Sequence, residues 1–411
     1  MSKLNIGNDL YLKGRIGWQG LSKSEYLKNG EYKIINATAL MDGYVDWNNC
    51  GFITKKRYDE AKEIQLKEGD ILISKDGTLG KIGYVKNLTC PCSVSSGIFV
   101  LRNTKPEIVD FDYLYHIMKS NIFKDFINRN KSLGSTIVHL YQRDLEQFEI
   151  ELPCISEQRI IAKILNNIDN QISRNNDMVQ KLQVLSQLIY ERWFLQFEFP
   201  NEDEKPYKAS KGKMTHSDKL KSDIPEGWRA VELLNLVDWI TNSQPPKSEF
   251  KYNEEDGYVR FIQNRDYNSE SYKTYVKFKK SMNLVEKLDI LMDKYGDAGR
   301  VRYGISGVFN VALAQIKPKN SNMREYIRSL LLSKNMYNYL HNSCVASTRA
   351  SLSEDNLKLL YILLPNDLII HKFEEIISPM RKQILKIKDE NQKIMALRDR
   401  LSLLLINNQL Q

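Results

Sequence analysis

The chain carries one pattern twice, and a duplicated unit restricts the fold more than any single motif. Residues 69–82 read Gly-Asp-Ile-Leu-Ile-Ser-Lys-Asp-Gly-Thr-Leu-Gly-Lys-Ile; residues 288–301 read Leu-Asp-Ile-Leu-Met-Asp-Lys-Tyr-Gly-Asp-Ala-Gly-Arg-Val, at an offset of 219. Asp, Ile, Leu, Lys and both glycines coincide, and Arg300 stands where the first copy has Lys81. Each copy reads as a short buried strand, a glycine turn and a second strand. A second block repeats at an offset of 212: Ser135-Thr136, Leu140, Leu145 and Pro153 fall on Ser347-Thr348, Leu352, Leu357 and Pro365.

After each of these prolines the hydrophobic period changes to that of a long helix. The first seam is Ile161, Leu165, Ile168, Ile172, Asn175, Val179, Leu182, Ser186, Ile189 and Trp193. The second is Phe373, Ile377, Met380, Ile384, Ile387, Asn391, Ile394, Arg398, Leu401 and Leu405. Steps of four and three over about four heptads describe a coiled-coil seam. Each seam holds one asparagine. Such a residue either fixes register at some cost in stability or marks a wet, frayed position. Ser156 is the expected N-cap of the first helix, with Glu157 favourable in its first turn. Ser378-Pro379 predicts a break or kink in the second, with Pro379 opening its main part. The simplest packing buries the two seams against each other within the chain.

This predicts an α+β protein: two similar mixed α/β units separated by two long helices that form an intramolecular antiparallel coiled coil, a pseudo-twofold repeat. The expected boundaries are 1–153 and 224–365 for the two units, 154–199 and 366–411 for the helices, and 200–223 for a polar linker.

Catalytic motifs are scarce. The five histidines lie far apart, Cys90-Pro91-Cys92 is too tightly spaced for a zinc knuckle, and Ile82 follows Lys81 where a phosphate loop needs Ser or Thr. The sole Pro-Pro, in Gln244-Pro245-Pro246-Lys247, has the wrong neighbours for an amino-methyltransferase. Asp46 with Glu60-Ala61-Lys62 is a carboxylate–lysine set of the kind that arises by chance in a chain this charged. The chain itself is therefore expected not to be an enzyme and to hold no metal. With 60 basic against 51 acidic residues in 411, a net charge of +9 favours a polyanionic partner, nucleic acid first. No stretch is long and apolar enough to span a membrane, and the five scattered cysteines suit a reducing cytoplasm.

Basic residues interleave with aromatics most clearly over Tyr258–Tyr267 and on to Lys280. Lys and Arg neutralise phosphates, while Asn, Gln and Arg can pair with base edges. The glycine turns allow a backbone to approach closely. Residue type and repeat position select Asn36, Thr38, Lys75, Thr78, Lys81, Ser135, Thr136 and His139 as DNA contacts of the first unit. For the second they select Gln263, Asn264, Arg265, Lys294, Arg300, Ser347, Thr348 and Arg349. Asn36 enters because Tyr32–Asn36 parallels Val259–Gln263.

Several segments together resemble the specificity subunit of type I restriction–modification systems, over essentially the full length. They are Leu152-Pro153-Cys154-Ile155-Ser156-Glu157-Gln158 ahead of the first helix and Leu188–Phe197 at its exit. Lys205-Pro206-Tyr207-Lys208, Ile224-Pro225-Glu226-Gly227-Trp228 and Leu397-Arg398-Asp399-Arg400-Leu401 complete the set. The second helix approach, Pro365–Ile370, lacks Glu-Gln, and the first unit has only Gly17-Trp18 where the second opens on Pro-Glu-Gly-Trp. The resemblance implies two target-recognition domains, each reading half of an asymmetric bipartite DNA site. It implies a coiled coil that sets their spacing and docks two methyltransferase subunits, with a motor/endonuclease subunit added for cleavage. It places S-adenosylmethionine, ATP and Mg on those partners and none in this chain, and it implies the cytoplasm of a bacterium or archaeon. The alternatives are a methyltransferase-only complex and a coiled-coil scaffold without sequence-specific DNA binding.

Overall fold

The computed structural model describes residues 2–15, 20–41, 43–130, 139–268, 272–344 and 351–406. Ser135, Thr136, Ser347, Thr348, Arg349 and the Gly17-Trp18 pair lie outside them. The chain forms two compact units, Met1–Ser173 with Gln392–Gln411, and Arg174–Asn391.

In the first unit, strands Tyr11–Gly14, Ile98–Arg102, Ile71–Ser74, Ile82–Tyr84 and Gly43–Tyr44 lie side by side in that order. A three-stranded sheet joins Gly51–Ile53, Tyr32–Ile35 and Cys92–Val94. All four residues of Ile71–Ser74 are buried, as its unbroken apolar run requires of a central strand. The unit closes where Ser2–Asn5 pairs antiparallel with Glu149–Leu152.

The second unit repeats this plan. Val237–Ile240, Leu313–Pro318, Leu291–Asp293 and Val301–Arg302 reproduce the order of the first sheet's first four strands. Tyr258–Ile262 runs parallel to Gly307–Phe309, as Tyr32–Ile35 runs parallel to Cys92–Val94. Arg229–Glu232 pairs with Tyr361–Leu364 to close the unit. Between the expected first helix and this unit, the polar segment is not loose. Phe199 stacks on Tyr207 and Trp228 at 4.5 and 4.6 Å between ring centroids, and Met214–Ser217 pairs with Ser222–Pro225.

Two long helices, Ile155–Tyr190 and Asp367–Ile406, run antiparallel within each unit. In the first unit Ile161 and Leu165 share a core with Ile406, and Arg398 reaches Asp169 at 3.2 Å. In the second unit Val179 packs on Ile384 and Ile387. Every residue of both expected seams is buried or half-buried. The seam asparagines meet: Asn175 Nδ2 donates to Asn391 Oδ1 at 2.7 Å, and Asn391 Nδ2 donates to Asn176 Oδ1 at 2.9 Å. Amide bonds from one helix to the other at a single level of the seam specify register.

Two local expectations need correction. The first helix begins at Ile155, so Cys154 rather than Ser156 occupies the cap, and the Glu157 carboxylate accepts the Cys154 N–H at 3.1 Å. The second helix runs unbroken through Pro379. Proline removes the N–H that would bond the Glu375 carbonyl, but both residues are solvent-exposed. Water can take the freed carbonyl, while Phe373 and Ile377 hold the same turns in the core.

After Tyr190 the first helix widens into a π turn, Glu191–Leu195. The consecutive Trp193 and Phe194 both enter the second core, where Phe194 meets Tyr326 and Phe373 at 4.8 and 4.9 Å. The second helix is tied to the unit by charge as well. Glu325 is fully buried, accepts from Arg328 Nη1 at 2.9 Å and from Arg381 Nε at 3.2 Å, and neighbours Glu374.

Glu374 accepts the backbone N–H groups of Glu325 and Tyr326, yet burial, reinforced by the Glu325 charge, pushes its carboxyl up to about 7. Since this folded value lies above the ordinary 4.5, the folded state binds the proton more tightly. The stability that this proton contributes is complete below pH 4.5 and is lost as pH rises through 7. Glu374→Gln keeps both backbone acceptances without the charge. It should melt higher than the parent at pH 8, and the gap should close on acidification to pH 4.5 in thermal melts across that range.

Candidate nucleic-acid interface

The glycine turns are built alike in the two units. Ser74 N–H bonds the Lys81 carbonyl at 3.0 Å, and Asp293 N–H bonds that of Arg300 at 2.9 Å. Gly80 donates to Ser74 and Gly299 to Asp293, each at 2.9 Å. The Lys75 and Lys294 carbonyls receive the N–H groups of Leu140 and Leu352. Gly80 and Gly299 have φ of +71° and +88°, and a Cβ there would stand 2.6 Å from Ile127 Cδ1 or 2.9 Å from Leu340 Cβ. Left-handed backbone and lack of room together require glycine. The shared Asp has an equally local reason: Asp70 and Asp289 accept the N–H of Lys67 and Glu286 in the preceding turn.

On the first turn, Thr78 and Lys81 are exposed. Lys75 is half-buried, its ammonium 4.9 Å from the Phe99 ring; burial, opposed by Asp76, lowers its pKa. His139 Nδ1 bonds Asp76 Oδ1 at 2.7 Å, which holds the imidazole beside the turn. On the second turn, Lys294 is half-buried over Tyr295 and lowered by burial. Arg300 is exposed and donates to Asp297 at 2.6 Å. An exposed ion pair is worth about 0–1 kcal/mol, so Arg300 can exchange Asp297 for a phosphate at little cost.

The remaining candidates lie on a second loop, also built alike. Asn36 and Gln263 each follow a strand that pairs in parallel and each precedes a 3-10 turn, Ala37–Ala39 or Asn264–Tyr267. Thr38 is exposed, and Asn36 accepts from the Tyr26 hydroxyl at 3.3 Å. Gln263 Nε2 and Arg265 Nη2 both donate to Thr274 Oγ1, at 3.1 and 3.3 Å. Arg265 keeps a side chain 57% exposed, whereas Gln263 and Asn264 are half-buried. In each unit the second loop and the glycine turn border one cleft: Leu40 and Met41 with Gly80 and Lys81, Tyr267 with Gly299 and Arg300.

Sequence reasoning missed what holds these loops. Thr274 is fully buried and orders Gln263 and Arg265 from ten or so residues away, which no local pattern reveals. Buried Asp266 accepts the Gln263 N–H at 3.0 Å; its place three residues after Gln263 is a capping signal that could have been read. Arg302, just after the second glycine turn, is spent in a forked pair with buried Asp293 at 2.8 Å and so organises the turn.

Residues 19–184 and 225–396 each match the type I restriction modification DNA specificity domain. The chain belongs to the type I restriction–modification DNA specificity family. The Methanocaldococcus jannaschii type I restriction enzyme MjaIX specificity subunit is 24% identical over 367 residues, 85% of this chain and 79% of that one. The putative MjaX specificity subunit of the same organism is 25% identical over 397 residues, 92% and 88%. The crystal structure of the type I restriction–modification S subunit from M. genitalium covers 98% of this chain and 96% of its own with a TM-score of 0.60, at 16% identity, a likeness of fold. Among the described residues of this specificity-family chain, no helix is long and apolar enough to cross a membrane.

Proposed function

We propose that this chain is the DNA-reading, non-catalytic component of a type I restriction–modification complex, each unit reading one half of an asymmetric bipartite site. The duplication carries the reading: one backbone frame occurs twice, with different side chains on it. Asn36, Thr78 and Lys81 in one frame correspond in position to Gln263, Asp297 and Arg300 in the other, while Lys75 and Lys294 match. A common frame supports binding to a common polymer, and unlike side chains support unlike half-sites.

The paired helices would set the spacing of the half-sites, since each helix starts in one unit and ends in the other. Two methyltransferase subunits would dock on the apolar residues these helices leave exposed, Met178, Val184, Leu185 and Leu188 on the first, Leu397 and Leu403 on the second. The docked subunits would carry S-adenosylmethionine and flip the target adenine, and a motor/endonuclease subunit would bring ATP and Mg. The complex would act in the cytoplasm of a bacterium or archaeon.

The test is a methylome. The chain is co-expressed with its neighbouring methyltransferase gene in a methylation-free host, and modified adenines are mapped by single-molecule sequencing. A bipartite motif with a fixed gap, absent without this chain, is the expected result. A folded, active methyltransferase that yields no such motif rejects the reading.

A further inference from the structure

The second unit holds a cleft of about 740 Å³ between the glycine turn and the two long helices, lined among others by Gln187, Tyr267, Arg300, Tyr303, Arg381 and Lys388. Its walls offer more hydrogen-bond donors than acceptors. Tyr303 Oη accepts from Arg381 Nη1 at 2.8 Å and from Gln183 Nε2 at 3.3 Å. Both lone pairs are then engaged and the phenolic proton must be given to a third group, for which the described residues supply no acceptor. Tyr267 Oη and Gln187 Nε2 are buried with no hydrogen-bond partner among the described residues. Lys388 Nζ sits 5.7 Å from the Tyr303 ring centroid and forms no ion pair among those residues. The carboxylate in the lining, Asp297, is already taken by Arg300 at 2.6 Å and by the Tyr337 hydroxyl at 2.5 Å.

Charge follows the same count. The Arg328 and Arg381 guanidiniums lie 4.9 and 5.0 Å from the Tyr303 ring centroid and share Glu325. Burial alone would raise the Tyr303 pKa, but Arg381, the Gln183 hydrogen bond, Lys388 and Arg328 outweigh it and hold it below its ordinary value. Buried donors without partners and cations in excess are what an acceptor-only anion satisfies.

The first unit repeats the feature. A cleft of about 570 Å³ borders Gly80–Ile82, the counterpart of Gly299–Val301, and is lined by Lys81, Lys119, Lys124 and Arg398. Asp169 takes Lys119 and Arg398, at 3.4 and 3.2 Å, and the second lining carboxylate, Asp399, also takes Arg398, at 2.9 Å, which leaves Lys81 and Lys124 without an ion pair among the described residues.

We propose that the second cleft is a phosphate site in which Tyr303 Oη, Lys388 Nζ, Tyr267 Oη and Gln187 Nε2 donate to the phosphate oxygens. Phosphate suits it better than carboxylate because the donors stand on both long helices and on two segments of the globular part, and tetrahedral oxygens reach around such a cleft more widely than a planar pair. The source is either a backbone phosphodiester of the DNA, since Arg300 of the candidate interface lines the same cleft, or a free phosphate compound. The first source rests on the DNA-reading function proposed above; the second does not.

The experiment uses the full chain as wild type, Lys388→Met and Tyr303→Phe. One arm measures affinity for a duplex of about 30 base pairs of unrelated sequence against KCl concentration. Each variant should bind about 3- to 10-fold more weakly, and Lys388→Met should lower the log–log salt slope by about 1, uniformly across sequences. The other arm measures the melting temperature with inorganic pyrophosphate. A rise in wild type that Lys388→Met abolishes, with the DNA slope unchanged, supports the same site with a free ligand. Unchanged slopes together with no pyrophosphate effect overturn the proposal, as does a loss confined to methyltransferase binding. If wild type binds no duplex even with its methyltransferase, the DNA-reading function fails while the pyrophosphate arm still decides the cleft. Tyr303→Phe keeps the ring under its cations, so a matched melting temperature without ligand separates lost binding from lost fold.

Discussion

Glu325→Ala should be the most damaging single change in the second unit, costing about 3–5 kcal/mol of unfolding free energy. Glu325 is fully buried, and Arg328 and Arg381 are 0% and 2% exposed. Arg328 donates to both Glu325 oxygens, at 2.9 and 3.1 Å, and Arg381 adds a third bond at 3.2 Å. Burial already depresses the Arg328 guanidinium to about 10, against the pull of Glu325. Removing the carboxylate strands two buried cations without their counter-charge, leaving Arg328 the Leu288 carbonyl and Arg381 the Tyr303 hydroxyl beside the ring face they share. The loss is therefore the penalty of unpaired charge, several times what an exposed ion pair such as Lys55–Asp59 contributes. Denaturant unfolding followed by tryptophan fluorescence reads it, because Trp193 and Trp228 lie in this core. Replacing all three residues by apolar ones of similar volume, Glu325→Leu, Arg328→Met and Arg381→Met, should restore most of the stability. A cost for Glu325→Ala under about 1 kcal/mol would mean that the network is hydrated and does not fasten the helix.

The parts legible in the sequence were those with a period. The seams announced themselves because a heptad is a property of spacing, and the two glycine turns because only glycine fits a left-handed turn packed against Ile127 or Leu340. Pro379 misled because proline chemistry is local while its consequence depends on which side of the helix faces water. Ser156 misled by two positions because Cys154 supplies its backbone N–H to Glu157, and a cysteine is not a capping signal. The polar fastenings were invisible. His116 and Arg328 stand at equivalent repeat positions, yet one is a histidine held neutral by burial and bonded to Asn166, the other an arginine bonded to Glu325. The His116–Asn166 and Arg381–Glu325 bonds span 50 and 56 residues, so no window of sequence contains them, and the Arg328–Glu325 pair three residues apart gives no sign that Arg381 completes it. The candidate contacts divide along the same line. The exposed Thr38, Thr78, Lys81, Arg265 and Arg300 follow from residue type and turn position. The group that orders Arg265, Thr274, follows only from the fold.

Exchange of the first unit's globular part, residues 1–153, for that of a homologous chain should replace one half of the methylated motif and leave the other half and the gap intact. The argument is one of closure. Ser2–Asn5 pairs with Glu149–Leu152 immediately before the helix starts at Ile155, so the exchanged segment begins and ends on its own ladder. The seam that fixes the register, Asn175 with Asn391, lies outside it. The point-mutation counterpart is Arg265→Ala. Arg265 is anchored by Thr274 and more than half exposed, so its removal leaves the core untouched and deletes a guanidinium able to pair with a base edge. It should cost about 1–3 kcal/mol of discrimination at one position of one half-site, seen in the methylome as added bases tolerated there and nowhere else. Arg300→Ala, on the turn proposed to meet phosphate, should instead lower methylation of all sites alike and flatten the salt dependence. If Arg265→Ala relaxed both halves equally, the two units would not read separate half-sites. If the exchange changed the gap rather than one half, spacing would be set in the globular parts and not by the helices.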